Sequence, residues 1–282
     1  MIETADIALL RAWRRERRAE GSRVAFVPTM GFLHEGHLSL VDAARRRADV
    51  VVMSVFVNPL QFAPTDDLDR YPRDIVRDRA LAERRGVDLL FVPEAATMYP
   101  PGAGTRVVPG AVADRWEGAA RPGHFAGVLT IVAKLFHLVE PDVACFGQKD
   151  IQQATVVRAM VRDLDWRLEI EVVPTVREPD GLALSSRNVY LSPDERRDAL
   201  GLSDALRAVE TAFRAGERSA GALERVARTR LELYAGVRDE YIAIVEPAGL
   251  APVDRAEAGT IVAIAARVGA TRLIDNVILR ED

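Results

Sequence analysis

The stretch that decides the fold is residues 24–37, which read VAFVPTMGFLHEGH. The apolar run at 24–30 predicts a buried strand, because short runs rich in Val and Phe favour extended backbone. Gly31 and Gly36 then permit tight turns before an amphipathic stretch that predicts a helix at 36–48. A strand that passes through glycines into a helix N-terminus is typical of a phosphate-binding unit in an α/β fold.

The same alternation of strands and helices continues to about residue 176. Further strands are predicted at 49–57, 87–92, 143–146 and 168–176, helices at 74–85, 125–139 and 150–163, a polar loop at 58–72, and an irregular Gly- and Pro-rich region at 93–123. This rhythm predicts an α/β fold with a Rossmann-like parallel sheet covered by helices on both faces.

The pattern changes after residue 176. Two surface helices are predicted at 193–215 and 221–234, and strands with short connections at 239–245, 260–267 and 271–279. We therefore expect two domains: a Rossmann-like domain over 1–176, and a second, smaller α+β domain over 177–282.

Composition limits the class of protein. The 282 residues carry a formal net charge of -4, which argues against a general nucleic-acid binder. Cys145 is the only cysteine, so an internal disulfide is excluded and a reducing compartment is favoured. No apolar run is long enough for a membrane span or a signal peptide, and the expected location is the cytoplasm.

Two histidines flank the predicted helix start. His34 and His37 are three residues apart, so both can face the same anion at the helix N-terminus. An imidazole can donate a hydrogen bond to phosphate oxygens as charge develops on them. The pair therefore predicts a nucleotide-binding and catalytic site.

Lysine is rare in this chain. Of 38 basic residues only Lys134 and Lys149 are lysine. Lys149 follows a predicted strand and opens a helix, at the sheet edge where ligands bind, and a compact ammonium suits a phosphate there. Lys134 lies in an apolar helix, and we expect its ammonium to extend to the surface.

Six motifs together carry a family resemblance. Residues 28–37, PTMGFLHEGH, contain the His-Xaa-Gly-His signature of the nucleotidylyltransferase and class I synthetase superfamily, and the fuller string resembles the pantoate–β-alanine ligase (pantothenate synthetase) family. The further matches, in that family's order, are FVNPLQF at 56–62, YPR at 71–73, RPGHF at 121–125, FGQKD at 146–150 and SSRN at 185–188. They cover residues 24–191, and the rest matches only in length and general pattern.

The resemblance implies an activity. It is the ATP-dependent condensation of pantoate with β-alanine to pantothenate, AMP and pyrophosphate through a pantoyl adenylate. It also implies Mg²⁺, a homodimer, no nucleic-acid or membrane partner, a first domain that binds ATP and pantoate, and a second domain that acts as a lid.

The resemblance also assigns residues. The implied catalytic residues are His37, His34 and Lys149. The implied ATP-binding residues are Met30, Gly31, Phe32, Leu33, His34, Glu35, Gly36, His37, Gly147, Gln148, Lys149, Asp150, Val176, Leu184, Ser185, Ser186 and Arg187. The implied substrate contacts are Asn58, Gln61 and Gln153. No direct metal ligand is expected, with Asp78 and Asp150 as candidates for contact through water; Arg77 stands where the family usually has an acidic residue.

Two other interpretations stay open at this point. One is a nucleotidylyltransferase that acts on another small acid or phosphate acceptor, and pantoate-dependent pyrophosphate exchange separates it from the ligase. The other is a nucleotide-sensing module of the same fold, which would bind ATP without releasing AMP.

Overall fold

The computed structural model describes residues 1–62 and 68–281. These residues form two compact units: unit 1 comprises Met1–Gly147 and Val156–Pro174, and unit 2 comprises Gln148–Thr155 and the chain from Thr175 onward. The segment after residue 147 thus groups with the C-terminal part of the chain. Residues 63–67, within the loop predicted at 58–72, lie outside the described residues.

Unit 1 is built on a six-stranded sheet whose pairs are all parallel. The strands are β1 (Ile2–Thr4), β2 (Val24–Thr29), β3 (Val50–Val55), β4 (Leu89–Phe91), β5 (Val143–Gly147) and β6 (Glu169–Val173), in the order β1-β4-β3-β2-β5-β6. The central strands are apolar on both faces, as a parallel sheet covered by helices requires. The predicted fold class is confirmed.

The helices that connect these strands are mostly amphipathic. They are α1 (Ile7–Ala19), α2 (Glu35–Arg47), α3 (Ile75–Arg84), the short α4 (Ala95–Met98) and α5 (Glu117–Ala120), α6 (His124–Val139) and α7 (Ile151–Asp163), whose first turn belongs to unit 2. The sequence analysis assigned neither β1 nor α1. β1 has only three residues, and α1 buries only Leu10, Trp13 and Arg14, so its apolar stripe is narrow.

Lys134 differs from its expectation. Its ammonium does not extend into solvent from α6: it donates a hydrogen bond to the carbonyl of Met98 and lies 5.7 Å from the ring centre of Tyr99. Burial lowers the pKa of Lys134 and raises the pKa of Tyr99 to about 12. Lys134 therefore anchors the segment that follows α4.

Unit 2 is an α+β unit, as predicted. Its helices α8 (Pro193–Arg214) and α9 (Ala220–Leu231) pack on the antiparallel sheet of β7 (Val237–Val245), β8 (Ile261–Val268) and β9 (Thr271–Ile278), in the order β7-β8-β9. Its apolar core includes Leu202, Leu206, Phe213, Leu223 and Ile264, all almost fully buried. Within the part of the chain that the structure describes, no helix is long and apolar enough to cross a membrane.

Candidate functional site

The loop that leaves β2 turns sharply towards α2. Its Gly31 has a φ of +83°, and a Cβ there would lie 2.8 Å from Val55 Cγ1 and 2.9 Å from Asp78 Oδ2. Phe32, which follows, also has a positive φ of 51°. The main-chain N–H of Gly31 donates to Thr29 Oγ1 at 3.2 Å. A residue larger than glycine does not fit this turn without displacing its neighbours.

Asp78, from α3, holds this loop. Its carboxylate is 1% exposed, and it accepts hydrogen bonds from the main-chain N–H groups of Phe32 and Leu33, both at 2.7 Å. Burial raises the pKa of Asp78 above its ordinary value, although the two hydrogen bonds act in the opposite direction. The Arg77 guanidinium lies 5.3 Å from the ring centre of Phe32. These contacts indicate that Asp78 holds the loop, and its predicted contact with magnesium through water stays a prediction.

The two histidines begin α2 as a reciprocal cap. Nδ1 of His34 accepts from the N–H of Gly36 at 3.1 Å, and Nδ1 of His37 accepts from the N–H of His34 at 3.3 Å. The ring centres are 4.0 Å apart. A neutral imidazole that accepts at Nδ1 carries its proton on Nε2. Each ring therefore has an Nε2–H donor at the positive end of the helix, which suits an anion.

Glu35 differs from its neighbours in this signature. Its carboxylate pairs with the Arg85 guanidinium at 2.5 Å, on the exposed side of α2. Its side chain is thus engaged with the protein, and only its main chain belongs to the helix N-terminus that would receive phosphate.

Two of the three predicted substrate residues, Asn58 and Gln61, meet beside this loop. Asn58 is 1% exposed, and its Nδ2 donates to Gln61 Oε1 and to the Gly127 carbonyl, both at 3.1 Å. The Asn58 Oδ1 accepts from the Tyr99 hydroxyl at 2.8 Å. The Gln61 Nε2 lies 3.0 Å from Met30 Sδ. Unit 1 therefore joins the signature loop to Gln61, and Asn58 is engaged in holding that glutamine.

The RPGHF motif supports the same turn from α6. His124 Nδ1 lies 2.9 Å from the Gln61 carbonyl oxygen, and Arg121 donates to that oxygen at 3.4 Å. A Cβ on Gly127 would lie 2.1 Å from the Leu60 carbonyl oxygen, so the turn packs directly on the helix backbone. The sequence analysis gave Arg121 and His124 no role, and only the motif itself marked them; Gly127 lies outside the motif.

In unit 2, the predicted nucleotide residues begin with a 3₁₀ turn at Gln148–Asp150, directly after Gly147 ends β5. Lys149 Nζ lies 3.5 Å from Asp150 Oδ1, and the lysine side chain is 17% exposed. Gln153 lies half-buried in the first turn of α7. The Asp150 carboxylate is half exposed, so it is open to water and fits an indirect contact with a hydrated metal.

The remaining predicted residues lie on a hairpin of unit 2. The N–H of Leu184 donates to the carbonyl of Val176 at 3.0 Å, which closes the hairpin. Ser185 then caps a 3₁₀ turn at Ser186–Tyr190, where its Oγ accepts from the N–H of Arg187 at 3.2 Å. The hairpin and the Lys149 turn both contact β9, through Asp275 and Asn276. Sequence reasoning missed these two residues.

Comparisons with known proteins show which family the chain resembles over its length. The family model described as pantoate-beta-alanine ligase matches residues 3–278. A pantothenate synthetase from Anaeromyxobacter dehalogenans is 56% identical over 266 residues, with 92% of each chain covered. The crystal structure of pantothenate synthetase from Thermus thermophilus superposes with a TM-score of 0.94 at 50% identity, covering 99% of this chain and 100% of that one.

A further solved structure contains ligands. The pantoate-beta-alanine ligase from Francisella tularensis, complexed with "Beta-gamma ATP" and beta-alanine, has a TM-score of 0.81 at 33% identity. The match covers 99% of this chain and 97% of that one. With both units, the signature loop and the full-length match in agreement, this chain belongs to the pantoate–β-alanine ligase family.

Proposed function

We propose that this chain condenses pantoate with β-alanine at the expense of ATP. The pantoate carboxylate attacks the α-phosphorus, so pyrophosphate leaves and pantoyl adenylate forms. The amine of β-alanine then attacks the acyl carbon, AMP leaves, and pantothenate is released. Adenylation is needed because a carboxylate is a poor acyl donor in water and AMP is a good leaving group.

One observation carries the proposal. In unit 1 the loop that ends at the two capping histidines begins at Met30, and Gln61 contacts the Met30 sulfur. The Nε2–H groups of His34 and His37 provide donors for phosphate oxygens, and the Gln61 amide provides a contact for the acid. A nucleotide and a small acid bound there would react with little loss of freedom, since both are already positioned.

Unit 2 also carries groups that suit phosphate. We assign phosphate binding to Lys149 and to the Ser185–Arg187 loop, where two hydroxyls and a guanidinium can hold a triphosphate. Gln153 is the second proposed pantoate contact. Mg²⁺ neutralises the triphosphate when it is bound, and the half-exposed Asp150 is the residue that fits contact with it through water.

Assembly and location extend the proposal. We expect a homodimer in the cytoplasm, as the family resemblance implies. Sedimentation velocity at micromolar concentration tests the first statement, and a purely monomeric species contradicts it. Cell fractionation tests the second.

The deciding experiment measures ATP–pyrophosphate exchange and AMP release with pantoate and β-alanine added separately and together. Exchange should require pantoate alone, whereas steady AMP release should require both substrates. Exchange that is independent of pantoate, or supported equally by an unrelated hydroxy acid, contradicts the assignment and favours a nucleotidylyltransferase with another acceptor.

A further inference from the structure

Two successive polar residues of β9 are almost fully buried. Asp275 is 3% exposed and Asn276 is 2% exposed. Successive residues of a strand point to opposite faces of the sheet, so the two side chains serve different surroundings. A buried charge or amide is costly unless it is fully paired, and the partners of each therefore show what it holds.

The Asn276 amide is satisfied by a single segment. Its Nδ2 donates to the carbonyl oxygens of Gln148 and Lys149, both at 2.9 Å, and its Oδ1 accepts from Gln148 Nε2 at 3.2 Å. The two donated bonds fix the backbone of the 3₁₀ turn from which the Lys149 side chain emerges, and the accepted bond fixes the Gln148 side chain.

The Asp275 carboxylate holds a different segment. It pairs with the Arg177 guanidinium through both oxygens, at 2.5 and 3.0 Å, and one oxygen also accepts from the N–H of Asn276 at 2.8 Å. Arg177 in turn donates to the Gly181 carbonyl at 3.2 Å and bridges to Ala183 across the hairpin. That hairpin leads directly into the Ser185–Arg187 loop.

Burying the Asp275 carboxylate beside the apolar core costs free energy. It pairs in register with Ile264 of β8, a fully buried residue of the apolar core. An aliphatic residue would suit that environment without requiring an ion pair. The bidentate geometry instead adds orientational specificity to the start of the hairpin.

We propose that Asp275 and Asn276 are positioning residues that hold the two phosphate-binding segments of unit 2 in fixed relation. Asn276 sets the Lys149 turn, and Asp275 sets the Ser185–Arg187 loop through Arg177. Neighbouring Cα atoms are about 3.8 Å apart, so the two anchoring side chains cannot move far from each other. The inference rests on the proposed nucleotide-binding role of Lys149 and of that loop.

The test begins with Asn276→Asp. This substitution keeps the side-chain shape but replaces the Nδ2 donor with an oxygen that faces two carbonyl oxygens. We expect pantoate-dependent pyrophosphate exchange to fall about thirtyfold or more, because a displacement near 1 Å can cost about a hundredfold in rate. Val262→Ala is the matched control: it opens a cavity in the core of the same sheet and removes no hydrogen bond to either segment. It should lower the unfolding temperature while exchange stays within about twofold of the wild-type rate.

A double-mutant cycle separates positioning from general stability. In a Lys149→Ala background, Asn276→Asp should slow exchange by less than about threefold, since its effect passes through the absent ammonium. Asp275→Asn should be similarly non-additive with Arg187→Ala. Full additivity in either cycle overturns the proposal, as does a wild-type exchange rate in Asn276→Asp.

Folding failure and failure of the proposed function give different results. If Asn276→Asp does not fold, Asn276→Ala removes the same donor without placing an oxygen against the carbonyls, and the same cycle applies. A Lys149→Ala variant that exchanges at the wild-type rate refutes the nucleotide-binding role, and the positioning proposal with it. A slow Lys149→Ala beside an additive Asn276→Asp refutes the positioning proposal alone.

Discussion

The carboxylate of Asp78 accepts the main-chain N–H of Leu33 at 2.7 Å, across 45 positions of sequence. Its other oxygen accepts from Phe32 at the same distance, so one buried side chain holds two consecutive peptide groups. Those groups lie just before the histidine cap of α2. The geometry of the signature loop thus depends on a residue of α3 that belongs to no part of the signature.

Asp78→Asn tests this dependence. The substitution keeps the shape but replaces one acceptor with an amide donor that faces an N–H, and a buried unsatisfied donor costs about 1–3 kcal/mol. We expect adenylation to slow by about tenfold or more, measured by pantoate-dependent pyrophosphate exchange. Circular dichroism should show a folded protein. An unchanged rate would mean that the loop keeps its conformation without the carboxylate.

The pH dependence of the same variant has a defined sign. Burial raises the pKa of Asp78, so the folded protein loses the ionised carboxylate at a higher pH than an ordinary aspartate would. Wild-type exchange should therefore decline as the pH falls through this raised pKa. Asp78→Asn should lack that component of the acid limb. An identical acid limb in both proteins assigns the decline to another group.

His37→Ala should impair chemistry more than binding. It removes an Nε2–H donor from the helix terminus where the proposed mechanism develops transition-state charge, and loss of such a donor slows a reaction about a hundredfold. Single-turnover kinetics should show this loss with little change in the dissociation constant of pantoate. His137→Ala, at an exposed position of α6, is the matched control and should be neutral. A normal adenylation rate in His37→Ala would remove His37 from the mechanism.

Lys149→Arg should be damaging although it keeps the charge. A guanidinium is broader than an ammonium and donates from a plane, so it cannot occupy the same point beside a phosphate. We expect a loss of turnover of about tenfold or more in the coupled AMP assay. Lys134→Arg changes the only other lysine, which contacts Met98 and Tyr99, and it should affect thermal stability more than turnover. Wild-type turnover in Lys149→Arg contradicts the argument.

Nucleotide binding should order the hairpin of unit 2. If the Ser185–Arg187 loop grips the triphosphate, ATP should protect residues 177–188 from hydrogen exchange. Arg187→Ala should lose much of this protection while binding pantoate almost normally, because Gln61 belongs to unit 1. Equal hydrogen exchange in residues 177–188 with and without ATP would leave the lid function expected of the second domain without support.

Local patterns predicted most elements of both sheets and the strand–loop–helix unit at β2. They failed at β1 and α1, where three residues and a narrow apolar stripe produce too little periodicity. Local pattern indicated His34, His37 and Lys149, and the other candidate site residues came from motif resemblance. Asp78 as a loop anchor and Asn276 as a turn anchor could not be predicted in this way, because their partners are 46 and 45 positions apart for Asp78 and 128 and 127 for Asn276. The local hydrophobic periodicity carries no information about such distant contacts. A polar residue that will be buried cannot be told from an exposed one by this periodicity.

Gly127 has a consequence for redesign of this enzyme class. A Cβ at this position would lie 2.1 Å from the Leu60 carbonyl oxygen. The Gln61 turn can therefore pack this closely on α6 only because residue 127 has no side chain. Substitution of Gly127 with alanine should displace the turn, and Gln61 with it, away from α6. A library aimed at longer or bulkier acids can therefore begin inside a helix, far along the chain from Gln61, and leave the proposed substrate contact itself unchanged.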